Sequence, residues 1–210
     1  MDAPSTVDTL LSAADNALRA LFAPPHAARQ PTALPPAAAL DPADRQHAAG
    51  LMRVNHSGEI AAQALYHGQA LLARRPDTRQ FLLQAAREEG DHLAWCFSRL
   101  EELGSRPSLL NPLWYAGSFA IGALAAAISD RLSLGFVVET EKQVEGHLAS
   151  HLRSLPAADE RSRAIVRTMQ ADEAGHAHQA QLAGASGLPA PVPQVMRAVS
   201  KVMTSTAYRV

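Results

Sequence analysis

One cysteine in 210 residues, Cys96, rules out an intrachain disulfide framework and any cysteine-built zinc or iron–sulfur site. Its simplest reading is a small core residue in a reduced compartment. Charge of one dominant sign is also missing. The 19 basic and 20 acidic residues leave a formal net charge of -1, which provides no global electrostatic footprint for nucleic acid. No basic residue precedes the apolar positions of MDAPSTVDTLL, where Asp2 and Asp8 stand instead, and this argues against an export signal. Sustained alternation of β-branched and aromatic residues is absent, so no sheet is expected. No G-x-G-x-x-G follows a strand pattern, so the chain offers no Rossmann dinucleotide site of its own. The length favours a single domain.

Helical periodicity is what the sequence does contain. Val7, Leu10, Leu11, Ala14, Leu18 and Leu21 recur at helical spacing before Pro24. From Ala23 to about Ala43 the chain is rich in Pro and Ala, which reads as a linker or as an extended wrapping segment. Helical patterns then run over about 44–74, 77–103, 107–129, 130–155 and 159–186. They are punctuated by Pro76, by Gly104 with Pro107, by Asp130 and by Pro156. The fold class is all-α, a helical bundle.

Two segments break the pattern of a soluble bundle. Pro107 to Ser129 has no charged residue, and its core LWYAGSFAIGALAAAI is too short for a secure span. A buried or membrane-dipping hairpin is the expectation there. No Asp or Glu follows Glu173, while Val195, Met196, Val199, Val202 and Met203 form a stripe beside Arg197, Lys201 and Arg209. Such a stripe suits an anionic membrane surface, although a terminal helix packing on the bundle would show it too.

The stretch REEGDHLAW places Glu89 and His92 three residues apart on the same helical stripe as Leu82, Ala85, Ala86, Leu93 and Cys96, with Glu88 and Asp91 expected to face outward. A carboxylate on a core-facing stripe must be paired or must coordinate a metal, because burying it alone costs far too much. One Glu-x-x-His proves little in a chain with ten Glu and nine His. The second, Glu173 with His176, shares a stripe with Ile165, Met169 and Ala180.

Spacing strengthens the signal. Glu59 precedes Glu89 by 30 residues and Glu141 precedes Glu173 by 32. Each gap is one antiparallel helix pair, so the unit Glu … Glu-x-x-His occurs twice. Four Glu and two His in this arrangement form the ligand set of ferritin-like di-iron carboxylate bundles. Four carboxylates match two divalent irons, and oxygen donors with two imidazoles support ferrous and ferric states; zinc would favour fewer carboxylates, and manganese stays open on ligands alone. Asp172 is the candidate acceptor that orients a ligating His. His56, His67, His151 and His178 have no such support and read as structural.

These residues make the chain similar to a known family. RVNHSGEIAA leading to YHGQ, then EEGDH, PLWYAGSFAIGA, VVETEKQVEGH and DEAGH resemble the demethoxyubiquinone hydroxylases, membrane-associated di-iron monooxygenases of ubiquinone biosynthesis. The resemblance runs from about Arg53 to about Ala180, and Asn55 stands where that family usually has Asp. It implies that Glu59, Glu89, His92, Glu141, Glu173 and His176 are the catalytic metal ligands, and that His147 lies near the iron pair and the quinone. Residues 1–46 form an N-terminal helix and Pro/Ala-rich linker, and 47–210 the ferritin-like di-iron domain, with an apolar membrane-associating insertion between its two helix pairs.

The activity it implies is O2-dependent hydroxylation of the ring of a demethoxyubiquinone or its quinol. One oxygen atom enters the ring, the other leaves as water, and two electrons come from outside. NADH acting directly, a reductase partner and the quinol itself are all open as the donor. So is assembly into a homo-oligomer or with other ubiquinone-biosynthesis proteins. A polyprenylated substrate implies peripheral or monotopic attachment to the cytoplasmic side of a cell inner membrane. Two rival readings share parts of the pattern, a ferritin-like ferroxidase or iron-binding bundle and a non-catalytic quinone- or lipid-binding helical protein.

Overall fold

A computed structural model describes residues 6–31 and 33–210, so Asp2 lies outside the described residues. Seven helices account for its regular structure: α1 (Thr6–Phe22), α2 (Pro42–Leu72), α3 (Pro76–Glu102), α4 (Asn111–Ile128), α5 (Asp130–Ser154), α6 (Glu160–Leu182) and α7 (Pro191–Ala207). No strand occurs among the described residues. The all-α bundle expected from periodicity, ferritin-like by its ligand spacing and family resemblance, is the observed architecture.

Local chemistry sets the helix ends. Asp41 caps α2 by accepting from the Asp44 amide at 2.8 Å, and Pro42 occupies the first turn, where its missing N–H is not needed. Ser129 caps α5 through the Leu132 amide at 3.1 Å. Asp159 caps α6 through the Ser162 amide at 3.0 Å and also takes a hydrogen bond from buried Arg99 at 2.9 Å. Two boundaries differ from the sequence expectation. Helix α4 starts at Asn111 rather than near residue 107, because Ser108 accepts from the Leu110 amide through Oγ and from the Asn111 amide through its carbonyl, which holds 108–111 in a turn; Pro112 then fits the first turn of the helix. Helix α6 stops at Leu182, where Gly184 takes φ +101° and turns the chain away.

Helices α2 and α3, joined by three residues, pack side by side, as do α5 and α6, and α2 with α5 and α3 with α6 close the ring. Two apolar clusters fill it. One is built around Met52, Trp95, Leu100, Leu148, Val166 and Met169. The other is built around Tyr66, Leu82, Ala85, Leu134, Val137 and Ala180.

The uncharged segment forms one helix, α4, and not a hairpin. It lies against α2, burying Tyr115, Gly122, Ala125 and Ala126, while Leu113, Leu124 and Ile128 face outward, so it is not a buried element either. No helix of the described residues is long and apolar enough to cross a membrane. Helix α7 is held at its end by Ala207, which is fully buried, and by Tyr208, whose hydroxyl meets His47 Nδ1 at 2.7 Å and whose carbonyl accepts from Arg53 at 2.9 Å. The Pro/Ala-rich segment is a wrapping strap. Ala27, Leu34 and Leu40 pack on the first cluster, and Arg161 donates to the Pro35 carbonyl at 2.8 Å.

Two glycines allow α4 to approach α2. A Cβ at Gly68 would sit 2.2 Å from the Phe119 carbonyl oxygen, and one at Gly122 would sit 2.2 Å from that of Leu65. Both obstacles are backbone, so the helices would have to separate. Gly68→Ala or Gly122→Ala is expected to cost about 1–3 kcal/mol by overpacking, lowering the Tm of the metal-free protein by several degrees. Gly117→Ala, where the methyl meets nothing within 4 Å, is the control. It is expected to raise Tm slightly, through a helix preference of about 0.5–1 kcal/mol, and calorimetry of the three variants measures the contrast.

Candidate metal centre

Between the two apolar clusters lies a polar layer, and each core helix supplies part of it. On α2, Glu59 follows Met52 and precedes Leu65 and Tyr66. On α3, Glu89 and His92 stand between Leu82, Ala85 and Ala86 on one side and Cys96 and Leu100 on the other. Helix α5 places Glu141 between Val137 and Leu148, and α6 places Glu173 and His176 between Met169 and Ala180. The periodicity that buries the apolar residues therefore buries these six as well, each with 4 % or less of its surface exposed.

The six side chains form two groups that share two members. Glu59, Glu89, His92 and Glu173 bring one ligand atom each within 4.8 Å of one another, and so do Glu89, Glu141, Glu173 and His176. His92 Nδ1 lies 3.0 Å from Glu89, 3.3 Å from Glu173 and 3.6 Å from Glu59. His176 Nδ1 lies 3.2 Å from both Glu89 and Glu173. Glu89 and Glu173 thus stand between two positions, one flanked by Glu59 and His92 and the other by Glu141 and His176.

Behind each imidazole is another carboxylate. His92 Nε2 lies 3.0 Å from Asp172, and His176 Nε2 lies 2.8 Å from Glu88. Each is the residue preceding the shared glutamate of the opposite helix pair. Asp172 stands within hydrogen-bond distance of His92, the contact that an orienting acceptor would make. Glu88 does not point away as the helical wheel implied, because its longer side chain reaches across to α6. Asp91 also departs from its outward placement: it is buried and accepts from the strap amides of Ala28 at 2.6 Å and Arg29 at 3.4 Å. The signal for Glu88 was in the sequence, since both halves read acid-Glu-x-x-His, as Glu88-Glu89-Gly-Asp-His92 and Asp172-Glu173-Ala-Gly-His176. Cys96 is a buried packing residue 3.8 Å from the Met169 sulfur.

Four carboxylates share this dry layer, and among the described residues no Lys or Arg pairs with any of them. Burial, reinforced by neighbouring carboxylates, pushes Glu59 and Glu141 well above the usual carboxylate range. Burial also opposes ionisation of Glu89, but hydrogen bonds from His176 and His92 outweigh it and hold that carboxyl low. Burial disfavours the charged form of both imidazoles as well. Carboxylate acceptors overcome this, raising His92 well above its ordinary value and His176 to about 12. Without a cation, the centre retains protons to limit its own charge.

This donor set fits a pair of divalent ions. Both imidazoles turn Nδ1 inward and give Nε2 to a carboxylate, the orientation that fixes a ligating tautomer. Glu141 Oε1 is buried and lacks any hydrogen-bond partner, a vacancy in bonding that a metal would fill. Oxygen-rich donors with imidazole suit iron or manganese rather than a tetrahedral zinc site.

A cavity of about 420 Å³ opens on the α2 and α5 side of the layer, with Glu59 and His147 in its wall together with Leu65, Ile121, Phe136 and Met196. His147 is edge-on to His151, with ring centroids 4.1 Å apart, and its buried Nε2 has no partner. Burial keeps His147 below its ordinary pKa and His151 at about 3. His56 and His67 are likewise held at about 4 by burial. Among the described residues, these four take no part in the six-residue cluster.

A carboxyl raised by burial contributes stability at low pH that is lost as pH climbs from its unfolded value toward its folded one. Glu141→Gln keeps the shape and removes that loss. The metal-free variant is therefore expected to melt higher than the wild type, by roughly 2–4 °C for each kcal/mol recovered. The gain should be larger at pH 8 than at pH 5, while metal stoichiometry falls. Scanning calorimetry at the two pH values, with metal analysis of the loaded proteins, checks both halves.

Residues 46–207 match the family described as ubiquinone biosynthesis protein COQ7. The chain is 60 % identical over 206 residues to 3-demethoxyubiquinol 3-hydroxylase of Xanthomonas oryzae pv. oryzae (strain PXO99A), covering 98 % of this chain and 95 % of that protein. The protein of the same name from Xanthomonas axonopodis pv. citri (strain 306) is 59 % identical with the same coverage. That from Variovorax paradoxus (strain S110) is 58 % identical over 209 residues, covering 98 % of this chain and 99 % of that protein. A buried double Glu … Glu-x-x-His centre in a four-helix core and these matches along nearly the whole chain converge, and the chain belongs to the ubiquinone biosynthesis protein COQ7 family.

Proposed function

We propose that this chain is a di-iron 3-demethoxyubiquinol 3-hydroxylase, an O2-dependent monooxygenase of ubiquinone biosynthesis. The observation that carries the reading is the meeting of a buried carboxylate–imidazole centre with an apolar cavity at Glu59. Glu59 with His92 and Glu141 with His176 would hold one iron each, and Glu89 and Glu173 would be common to both. Iron held there would supply the redox chemistry that dioxygen activation needs. The remaining work falls to the chain itself. Asp172 and Glu88 retain the Nε2 protons of His92 and His176, which keeps each Nδ1 lone pair directed inward. Leu65, Ile121 and Phe136 keep the cavity dry and accept an apolar ring and tail. His147, neutral at physiological pH, is placed to hydrogen-bond a ring oxygen through Nε2.

The attachment we propose is peripheral or monotopic, on the cytoplasmic side of a cell inner membrane. Leu113 and Leu124 on α4 and Val202 on α7 are among the exposed apolar residues of these two helices, and α7 also bears Arg197 and Lys201. An anionic bilayer surface suits that combination.

Product analysis in a quinone-deficient host tests the chemistry. Wild type is expected to relieve the accumulation of demethoxyubiquinone, and Glu89→Ala is not; equal relief by both sinks the reading. Vesicle sedimentation tests the attachment. Leu113→Ser, Leu124→Ser and Val202→Ser together are expected to weaken binding to anionic vesicles by more than about tenfold, since each methyl(ene) withdrawn from the bilayer is worth roughly 0.8 kcal/mol. Wild-type protein that ignores such vesicles would refute it.

A further inference from the structure

The strap lies upstream of the family match, which begins at residue 46, yet one of its residues reaches the edge of the metal centre. Arg29 donates from Nη2 to Asp172 Oδ2 at 2.5 Å, and its Nη1 lies 3.4 Å from Oδ1. The same Oδ2 faces His92 Nε2 at 3.0 Å. Charge-assisted two-point pairing of this kind fixes the plane of a carboxylate as well as its place. Asp172 is a quarter exposed, so without such a clamp water would compete for its oxygens.

Three contacts hold Arg29 where it is. The amides of Ala28 and Arg29 donate to buried Asp91, the Arg29 carbonyl accepts from Trp95 Nε1 at 2.8 Å, and the guanidinium lies 5.0 Å from the Trp95 ring centroid. The Trp95 ring in turn packs 5.1 Å from that of His92. Asp91 and Trp95 flank His92 on α3, so the strap is fastened to the helix that carries the ligand. Among the described residues, the carboxylate behind the other imidazole has no guanidinium hydrogen-bonded to it. Glu88, behind His176, is 39 % exposed and its second oxygen accepts only from the neutral amide of Gln84 at 2.7 Å. Related as the two halves are in sequence, among the described residues Asp172 is hydrogen-bonded to a guanidinium while Glu88 feels the Arg29 charge only at longer range.

We propose that Arg29 is a positioning residue for the metal centre: by clamping Asp172 against His92 it holds the His92 ring in its ligating orientation and makes the Glu59–His92 position the more firmly organised of the two. The proposal rests on the metal-centre reading given above. It assigns the N-terminal strap a part in the site and makes the two metal positions inequivalent.

Anaerobic titration of the metal-free full chain with Co(II), followed by calorimetry and by the visible spectrum, tests it. Wild type is expected to take up two equivalents. Arg29→Gln should weaken one binding step by roughly 3–10-fold, less than the ~10–100-fold typical of losing the partner that touches the ligand, and should shift the spectrum of that position alone. Arg29→Lys, which keeps the charge but cannot pair at two points or stack on Trp95, should restore only part of the affinity. In an Asp172→Asn background, Arg29→Gln should cost nothing further, because the two act through one contact. Unchanged binding by Arg29→Gln, an equal loss at both steps, or the same loss with Asp172→Asn already present would overturn the proposal while leaving the centre intact. Failure of the wild type to bind two equivalents would overturn the centre itself, and the proposal with it.

Discussion

The constraint on which this fold turns is the burial of four carboxylates in one layer of its core. Burying one unpaired carboxylate is costly, and burying four in one layer is tolerable only with protons or cations among them. Two apolar clusters, one on either side of the layer, provide the opposing stabilisation. The same four helices run through both, and that explains the sequence pattern. Each ligand candidate falls on the apolar stripe of its helix because it occupies a core position, one layer deep between Leu, Val, Ala and Met.

Repetition of Glu … Glu-x-x-His made this layer legible from the sequence. Helical spacing and a 30- and 32-residue separation suffice to bring six residues together, since a helix pair returns the chain to the same height. What lies behind the layer was harder to read. Glu88 and Asp172 serve the imidazole of the opposite helix pair, a relation that a wheel drawn for α3 alone cannot contain. On that wheel Glu88 merely points away from Glu89. Asp91 was misread for a related reason: its partners are backbone amides of the strap, and a Pro/Ala-rich segment without periodicity gives no indication of where it will lie. The reach of α4 was misjudged because an uncharged run signals an apolar environment and does not say how much of it is protein. Gly68 and Gly122 decide that one face meets α2, while Leu113, Leu124 and Ile128 on the outer side stay exposed.

The additions to the four-helix core divide its surroundings into two unlike sides. Helices α4 and α7 stand beside α2 and α5, which carry Glu59 and Glu141, and between these elements runs the apolar cavity with Glu59 and His147 in its wall. The strap stands beside α3 and α6, which carry both imidazoles, and this side is polar: Asp172, Glu88, Asp91 and Arg29 all lie there. The two sides also differ in their cavities: the one with Glu59 in its wall is walled mainly by apolar residues, whereas the one of about 410 Å³ under the strap is lined by Arg99, Glu102 and Arg161 beside Trp95 and includes neither imidazole.

That division matches the demands of a ring hydroxylation. Delivering one oxygen atom to an apolar ring requires that the ring displace water next to the centre, and apolar walls at Leu65, Ile121 and Phe136 do this without introducing competing donors. Reducing the second oxygen atom to water requires protons, and mobile protons require titratable groups linked to solvent. The imidazole side is the one open to solvent: partly exposed Glu88 and Asp172 each stand one hydrogen bond from a buried imidazole. If both requirements were met on one face, water admitted with the protons would reach the ring. Separating them across the four-helix core lets one side stay dry while the other stays polar, and it accounts for two additions of opposite character, an apolar pair of helices and a charged strap, on a bundle whose internal repeat would otherwise make its halves alike.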